Sequence, residues 1–159
     1  MDQVVEKATE LGVRRIVPVL TRRVVVRLAG ERGRQRAAHW QKIAEAACEQ
    51  CGLNRVPRVE SPLPLEEALA TPTLVAGTGL WLDPEAATPL GALADRPDAV
   101  TLLVGPEGGF DPRESERLQA APWRRVTLGP RVLRADTAGL AATSILTALF
   151  DRAHAPQDR

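Results

Sequence analysis

Cysteine is scarce in this chain, and long apolar runs are missing from it. Two cysteines among 159 residues cannot form the disulfide framework of a small secreted domain. No apolar run approaches the roughly 20 residues that a membrane-spanning helix requires, so we expect no membrane partner. The chain also has no charged-then-apolar leader, which predicts a cytoplasmic location. With 44% hydrophobic and 26% charged residues it has the composition of a soluble globular protein, and its length fits one domain over residues 1–159.

Several catalytic and metal-binding patterns are missing as well. The segment Cys48-Glu49-Gln50-Cys51 is a lone C-x-x-C, and the two histidines, His39 and His154, have no spacing that would complete a zinc site. We therefore predict no metal and interpret both cysteines as small buried residues on one helix. No serine nucleophile elbow, histidine dyad or pair of carboxylates indicates hydrolysis. The chemistry is expected to come from a cofactor that carries its own reactive group.

Lysine is rare, with 2 lysines against 19 arginines. Residues 1–60 carry 12 Lys and Arg against 7 Asp and Glu (net +5), and residues 61–159 carry 9 against 13 (net −4). Because the arginine fork binds phosphate with two parallel hydrogen bonds, this excess predicts an RNA-contacting patch. The alternative is a genome-wide arginine bias on a solvated loop. The arginines concerned are Arg22, Arg23, Arg27, Arg32, Arg34 and Arg36, opposed only by Glu31.

The most informative feature is a pair of glycine-containing loops, each placed after a predicted buried strand and before a helix. Gly105–Gly109 follows the strand Ala99–Val104, which has the pattern of a central parallel strand, and Gly129–Arg134 follows the strand Val126–Leu128. Such loops at the carboxyl ends of parallel strands form a cleft lined by main-chain amides, suited to a nucleotide-like ligand. Neither loop is a Walker A or G-x-G-x-x-G sequence. The alternative is that these glycines only turn the chain.

The remaining patterns predict an α/β fold with a mostly parallel sheet that is flanked by helices on both faces. Asp111, with Pro112 and Glu114, predicts a capping box at the start of one helix, and Asp136 is expected to cap the terminal helix. Other helices are expected at Asp2–Leu11, Gln35–Cys51 and Pro64–Ala70, with a turn at Leu90–Ala94. Other strands are expected at Ile16–Leu20, Val24–Val26, Val56–Val59, Leu74–Ala76 and Leu80–Leu82.

Four stretches resemble the signature sequences of one family, in order along nearly the whole chain: Lys7–Val13, Ala47–Gly52, Leu103–Phe110 and Leu128–Ala138. On these residues the chain is identified as a member of the RsmE family, SPOUT methyltransferases that modify N3 of a uridine in small-subunit (16S) ribosomal RNA. Some positions depart from the family pattern. Cys51 replaces a serine, Leu53 stands where an arginine is expected, Arg22 stands where a glutamate is common, and Ala135-Asp136 replaces Thr-Glu.

The resemblance implies a C-terminal trefoil knot, S-adenosylmethionine (SAM) as cofactor, and a homodimer whose interface completes the active site. Family members carry an N-terminal β-barrel that binds RNA. This chain begins where that barrel would have ended, so we expect a catalytic domain that lacks it. A SPOUT methyltransferase acting on another base or a ribose 2′-hydroxyl is the related alternative. A non-catalytic RNA-binding module with a vestigial pocket is the alternative from another class.

The resemblance also implies roles for individual residues. Arg134 and Arg23, followed by Arg131, are expected to favour the uracil anion, and Glu107, Glu10 or water is expected to take the N3 proton. For Arg134 the alternative is a salt bridge to Asp136 or Glu107. The expected cofactor residues are Thr78, Gly79, Leu82, Gly105, Glu107, Gly108, Gly109, Leu128, Gly129, Val132 and Leu133. The expected RNA-binding residues are Arg22, Arg23, Arg27, Arg32, Arg34, Arg36 and Arg131.

Overall fold

A computed structural model describes residues 1–23, 30–72, 74, 77–93 and 97–150. The strand predicted at Val24–Val26, most of the strand predicted at Leu74–Ala76, and Arg27 lie outside these residues. The helices are α1 (Asp2–Glu10), α2 (Gly30–Cys51), α3 (Leu65–Ala70), α4 (Pro112–Ala120) and α5 (Ala135–Phe150), with a 3₁₀ turn at Leu90–Ala92. The strands are β1 (Arg15–Ile16), β2 (Val19–Leu20), β3 (Arg58–Val59), β4 (Leu63–Pro64), β5 (Thr78–Leu82), β6 (Val100–Val104) and β7 (Trp123–Val126).

Every strand pair in the described ranges is parallel, as the α/β prediction requires. β1 pairs with β3, β2 pairs with β4, and the largest sheet has the order β6-β5-β7. The central strand of that sheet is β5, because Trp81 is paired with Leu103 on one side and with Arg125 on the other. The prediction that Ala99–Val104 is central was therefore wrong. Residues 99–104 form the longer apolar run, whereas the apolar pattern of β5 is interrupted by Gly79.

Helices cover both faces of this three-stranded sheet, as predicted. On one face Trp81 and Leu103 pack with Leu65 of α3 and Leu118 of α4. On the other face the alternate side chains of β5 and β6 pack with the 3₁₀ turn and with Ala142 of α5. Because successive side chains of a strand point to opposite faces, β5 contributes side chains to the cores on both faces of this sheet.

A separate core joins α1 and α2 to the β1–β3 pair. Val5, Trp40, Ala44 and Val59 are all buried there. The predicted buried stripe of α2 is confirmed except at its end, where Cys48 is buried and Cys51 is exposed. The loop after α2 folds back over Cys48, whose Sγ lies 3.6 Å from the Arg55 carbonyl oxygen, and this burial raises the pKa of the Cys48 thiol. Cys51 is the last residue of the helix, so the prediction that it is buried was wrong.

Several predicted boundaries shift for local reasons. The strand predicted at Ile16–Leu20 is split before Val19, since Pro18 has no amide to donate to a ladder. The helix predicted from Gln35 begins five residues earlier, at Gly30. The strand predicted at Val126–Leu128 occupies Trp123–Val126 instead. Among the described residues, no helix is both long and apolar enough to cross a bilayer.

The two predicted helix caps have different outcomes. The capping box of α4 is confirmed: the Asp111 carboxylate accepts from the Arg113 amide at 2.9 Å, and the Glu114 carboxylate accepts from the Asp111 amide at 2.8 Å. Asp136 is not the N-cap of α5, because the helix begins at Ala135. It lies in the first turn instead, where a carboxylate is favoured by the helix dipole.

Candidate active site

A cleft opens at the carboxyl edge of the β6-β5-β7 sheet, where Leu82 is paired with both Val104 and Val126. Its volume is about 380 Å³, which lies in the range of small-molecule sites. The loops that follow all three strands contribute to its wall. The lining residues are Trp81–Glu85, Val104–Glu107, Gly109, Phe110, Ser115, Val126–Leu128, Arg131–Leu133, Ala135 and Ala138.

The loop after β6, residues Gly105–Asp111, is called the first loop below. It is closed by a hydrogen bond from the Gly109 amide to the Pro106 carbonyl at 2.8 Å, with Gly109 in the left-handed region at φ +67°. A Cβ on Gly105 would lie 2.9 Å from the Phe110 ring. Glycine therefore lets this ring close over the loop and meet Trp81 edge-on, with ring centroids 5.8 Å apart. The main chain of the first loop is left facing the cleft.

The loop after β7, residues Thr127–Arg134, is called the second loop. Gly129, at φ +111°, turns the chain, and its amide donates to Thr127 Oγ1 at 3.3 Å. Two apolar side chains of this loop are poorly covered: Val132 is 79% exposed and Leu133 is 36% exposed. Both line the cleft, so a ligand there would gain apolar contact from them.

The two loops meet as the sequence predicted. Seven of the eleven expected cofactor residues line the cleft, and Gly108 and Gly129 belong to the same two loops without appearing in its wall. The seven are Leu82, Gly105, Glu107, Gly109, Leu128, Val132 and Leu133.

Thr78 and Gly79 do not line the cleft, so the prediction that they close its side was wrong. They begin β5, and Thr78 is paired with Val100 at the opposite edge of the sheet. At about 3.3 Å per residue, Thr78 lies about 13 Å from Leu82. A Cβ on Gly79 would lie 2.9 Å from the Trp123 ring, so glycine at this position makes room for packing.

Sequence reasoning missed the segment Asp83-Pro84-Glu85, which follows β5 and forms the third side of the cleft. Asp83 Oδ2 accepts from Arg125 Nε at 2.9 Å and from Arg125 Nη2 at 2.6 Å. The Arg125 guanidinium carbon in turn lies 5.3 Å from the centroid of the Trp81 ring. The signal was available, because a loop after a parallel strand shares the edge of its neighbours, but the glycines around β5 made the strand look broken.

The predicted catalytic residues come from three parts of the chain, and of the three only Glu107 lines the cleft. Arg23 Nη1 donates to the carbonyl oxygen of Gly108, 85 residues away in sequence. Glu107 is exposed in the wall of the cleft. Arg134 is exposed just before α5, and its carbonyl accepts from the Ala138 amide at 2.8 Å. Among the described residues, the Arg134 side chain pairs with neither Glu107 nor Asp136.

The other candidate residues differ in whether their charged side chains already form ion pairs within the chain. Arg131 lines the cleft. Glu10 lies on α1, outside the cleft wall, with its carboxylate 2.8 Å from Lys7 Nζ. Arg22 lies 3.7 Å from a Glu66 carboxylate oxygen, and Arg34 lies 2.5 Å from Glu31. The remaining two described arginines of the predicted RNA patch, Arg32 and Arg36, are exposed on α2.

Comparison with known proteins places this geometry in a family. Residues 1–147 match the model of the RNA methyltransferase domain. The chain is 32% identical, over 154 residues, to the ribosomal RNA small subunit methyltransferase E of Bacillus subtilis, which covers 92% of this chain and 60% of the relative. It is also similar to the methyltransferase E structure from Neisseria gonorrhoeae bound to SAM, with 41% identity, a TM-score of 0.83, and coverage of 93% and 61% of the two chains.

A structure from Legionella pneumophila, described as a methyltransferase in complex with the bound cofactor SAM, has 34% identity and a TM-score of 0.87 over 94% of this chain and 61% of that one. The chain belongs to the RNA methyltransferase domain family, and its resemblance to the RsmE family is confirmed. It spans about 60% of the length of these relatives.

Proposed function

We propose that this chain is the catalytic domain of a SAM-dependent methyltransferase that modifies N3 of a uridine in 16S ribosomal RNA. The observation that carries the proposal is the cleft itself, in which two glycine-containing loops meet at the carboxyl edge of a parallel sheet. The proposal is supported by similarity to a relative named as a ribosomal RNA small subunit methyltransferase and to structures with bound SAM.

The described residues fit such a cofactor. The first loop offers main-chain groups around glycines that present no Cβ to a ligand, and it would hold the methionine and ribose parts. The exposed apolar pair Val132 and Leu133 would cover the adenine ring. When bound, SAM supplies a sulfonium-activated methyl group for the uracil nitrogen, so we expect no metal requirement.

The work left to the protein is to orient the base and to manage the N3 proton. That proton must leave before the nitrogen can accept a methyl group, and the resulting negative charge spreads to the O2 and O4 oxygens. A guanidinium near those oxygens stabilises the anion. Arg134, whose side chain pairs with neither Glu107 nor Asp136, is assigned this role, and the next candidates are Arg23, which donates to Gly108, and Arg131, which lines the cleft. The exposed Glu107 carboxylate is assigned as the proton acceptor.

A homodimer forms part of the proposal. Only Ala142 of α5 is buried, although this helix is rich in leucine, isoleucine and alanine, and Leu149 is 37% exposed. An uncovered apolar face of this kind favours association with a second copy. We further infer the trefoil knot, a single SPOUT-type domain over residues 1–159, a cytoplasmic location, and RNA contacts through Arg22, Arg32, Arg34, Arg36 and Arg131.

Calorimetry with SAM and methylation of 16S RNA test the proposal together. We expect SAM to bind with measurable heat, and nucleoside analysis to show a methyl group on uridine N3. Because the longer relatives contain residues beyond this chain, we expect a low rate on the RNA. Absence of SAM binding would favour the vestigial-pocket alternative, and a methyl group on another base or on a ribose hydroxyl would replace the assigned substrate atom.

A further inference from the structure

The Glu114 side chain joins two regions that are distant in sequence. It is only 3% exposed. Its Oε2 accepts from the Asp111 amide at 2.8 Å, which is the capping-box bond of α4. Its Oε1 accepts from the Arg22 amide at 2.9 Å, from a segment 92 residues earlier. The capping box requires only one oxygen of this carboxylate. The bond to Arg22 is therefore not part of the helix cap and connects α4 to the segment after β2.

The segment held by Glu114 carries the arginine that reaches the first loop. Residues Thr21–Arg23 follow β2, and Arg23 Nη1 donates to the Gly108 carbonyl oxygen. A Cβ on Gly108 would lie 3.9 Å from Arg23 Cδ, and one on Gly109 would lie 3.9 Å from Arg23 Nη1. The arginine side chain therefore lies along the glycines of the loop. The segment is therefore joined to the loop directly at Gly108, in the middle of the loop, and indirectly through Glu114, which also accepts from the Asp111 amide at the end of the loop.

Ion pairs support the same arrangement. A Glu66 carboxylate oxygen lies 3.7 Å from Arg22 Nη2, and the other lies 3.0 Å from Arg117 Nη1 on α4. These pairs are about half exposed and contribute little on their own. The buried Glu114 carboxylate contributes more to holding the segment in place, because hydrogen bonds to a charged group are stronger than those between neutral groups.

We propose that Glu114 is a positioning residue for the cofactor cleft. By holding the Arg22 amide it places Arg23 against Gly108, and Arg23 in turn fixes the course of the first loop. The inference rests on the proposed function for the identity of the ligand, but the ordering of the loop can be measured without any ligand.

The test is a double-mutant cycle with Glu114→Gln and Arg23→Ala, with Glu116→Gln as the matched control on the exposed side of α4. The glutamine amide nitrogen cannot accept a bond, so one of the two amides loses its partner. SAM binding should weaken about tenfold, as expected for one hydrogen bond to a charged acceptor. The double variant should bind SAM no more weakly than Arg23→Ala alone, because both changes break the same connection. Glu116→Gln should bind as the parent does.

Amide hydrogen exchange provides the readout that is independent of function. In Glu114→Gln and in Arg23→Ala, Gly108 and Gly109 should exchange faster, while the amides of β6 keep their protection. Additive losses in SAM affinity, or a first loop that exchanges as in the parent, would overturn the proposal. If the parent chain binds no SAM, the proposed function fails, and the exchange data alone decide whether Glu114 orders the loop.

Discussion

The two loops that form the cleft are built in different ways. The first loop is fixed before any ligand arrives: the Phe110 ring closes on Gly105, Arg23 holds Gly108, and Glu114 holds the end of the loop. The second loop has a turn bond at Gly129 but leaves Val132 79% exposed. One wall is therefore preorganised, whereas the other exposes apolar surface that only a ligand or a second subunit can cover. Preorganisation reduces the entropy lost on binding, so the first loop should set orientation and the second should supply contact area.

Arg134, at the end of the second loop, should show the largest effect. Arg134→Ala removes the guanidinium that is assigned to the uracil anion and should lower methyl transfer about a hundredfold, with little change in SAM affinity. Single-turnover transfer from tritiated SAM measures the rate, and calorimetry measures the affinity. Arg113→Ala, an exposed change at the start of α4, is the control. Equal losses of rate and affinity would make Arg134 a cofactor ligand instead.

Gly105→Ala should disturb the packing of the preorganised first loop. The added Cβ would lie 2.9 Å from the Phe110 ring, and overpacking of this kind costs about 1–3 kcal/mol of unfolding free energy. Both the denaturation midpoint and SAM affinity should fall. For the denaturation midpoint, Gly108→Ala is the matched control, since its Cβ would have no neighbour closer than 3.9 Å. Equal stability of the two variants would contradict the close packing described for the first loop.

Val132→Ala, in the second loop, should lower SAM affinity without lowering the stability of the fold. Because Val132 is so exposed, the unliganded chain should keep its denaturation midpoint. SAM affinity should fall about fifteenfold, because the change removes two methyl-sized groups and each one that the ligand no longer covers costs roughly 0.8 kcal/mol. Val56→Ala, at another exposed valine outside the cleft, should change neither quantity. A loss of stability without a loss of affinity would assign Val132 to the fold.

The smallest effect is expected far from both loops, where Asp2 joins α1 to α2. Hydrogen bonds from His39 and from Trp40 lower the pKa of the Asp2 carboxyl. A carboxyl whose pKa is lower in the folded state stabilises the fold above its unfolded pKa of about 3.9. That contribution is lost as the pH falls through the folded value. Asp2→Asn should therefore lower the urea midpoint slightly at pH 7, and the difference from the parent should vanish at low pH. A difference that persists in acid would show that charge is not its origin.

Local chemistry made part of this structure predictable. The capping box at Asp111 follows from three neighbouring residues, and the convergence of the two loops follows from the geometry of parallel strands. The sequence could not reveal the contact between Arg23 and Gly108, because no local pattern encodes a bond across 85 residues. Gly79 was misread for another reason. A glycine between apolar residues looks the same whether it faces a ligand or makes room for a ring, and here the ring is that of Trp123.

A crystal structure of the chain soaked with SAM tests the central claim most directly. We expect density for the cofactor between the two loops, with main-chain groups of Gly105–Gly109 on one side and Val132 and Leu133 on the other. The first loop should keep its course, and the second should move to cover the ligand. Density elsewhere, or a cleft filled by the chain's own side chains at saturating SAM, would contradict the account.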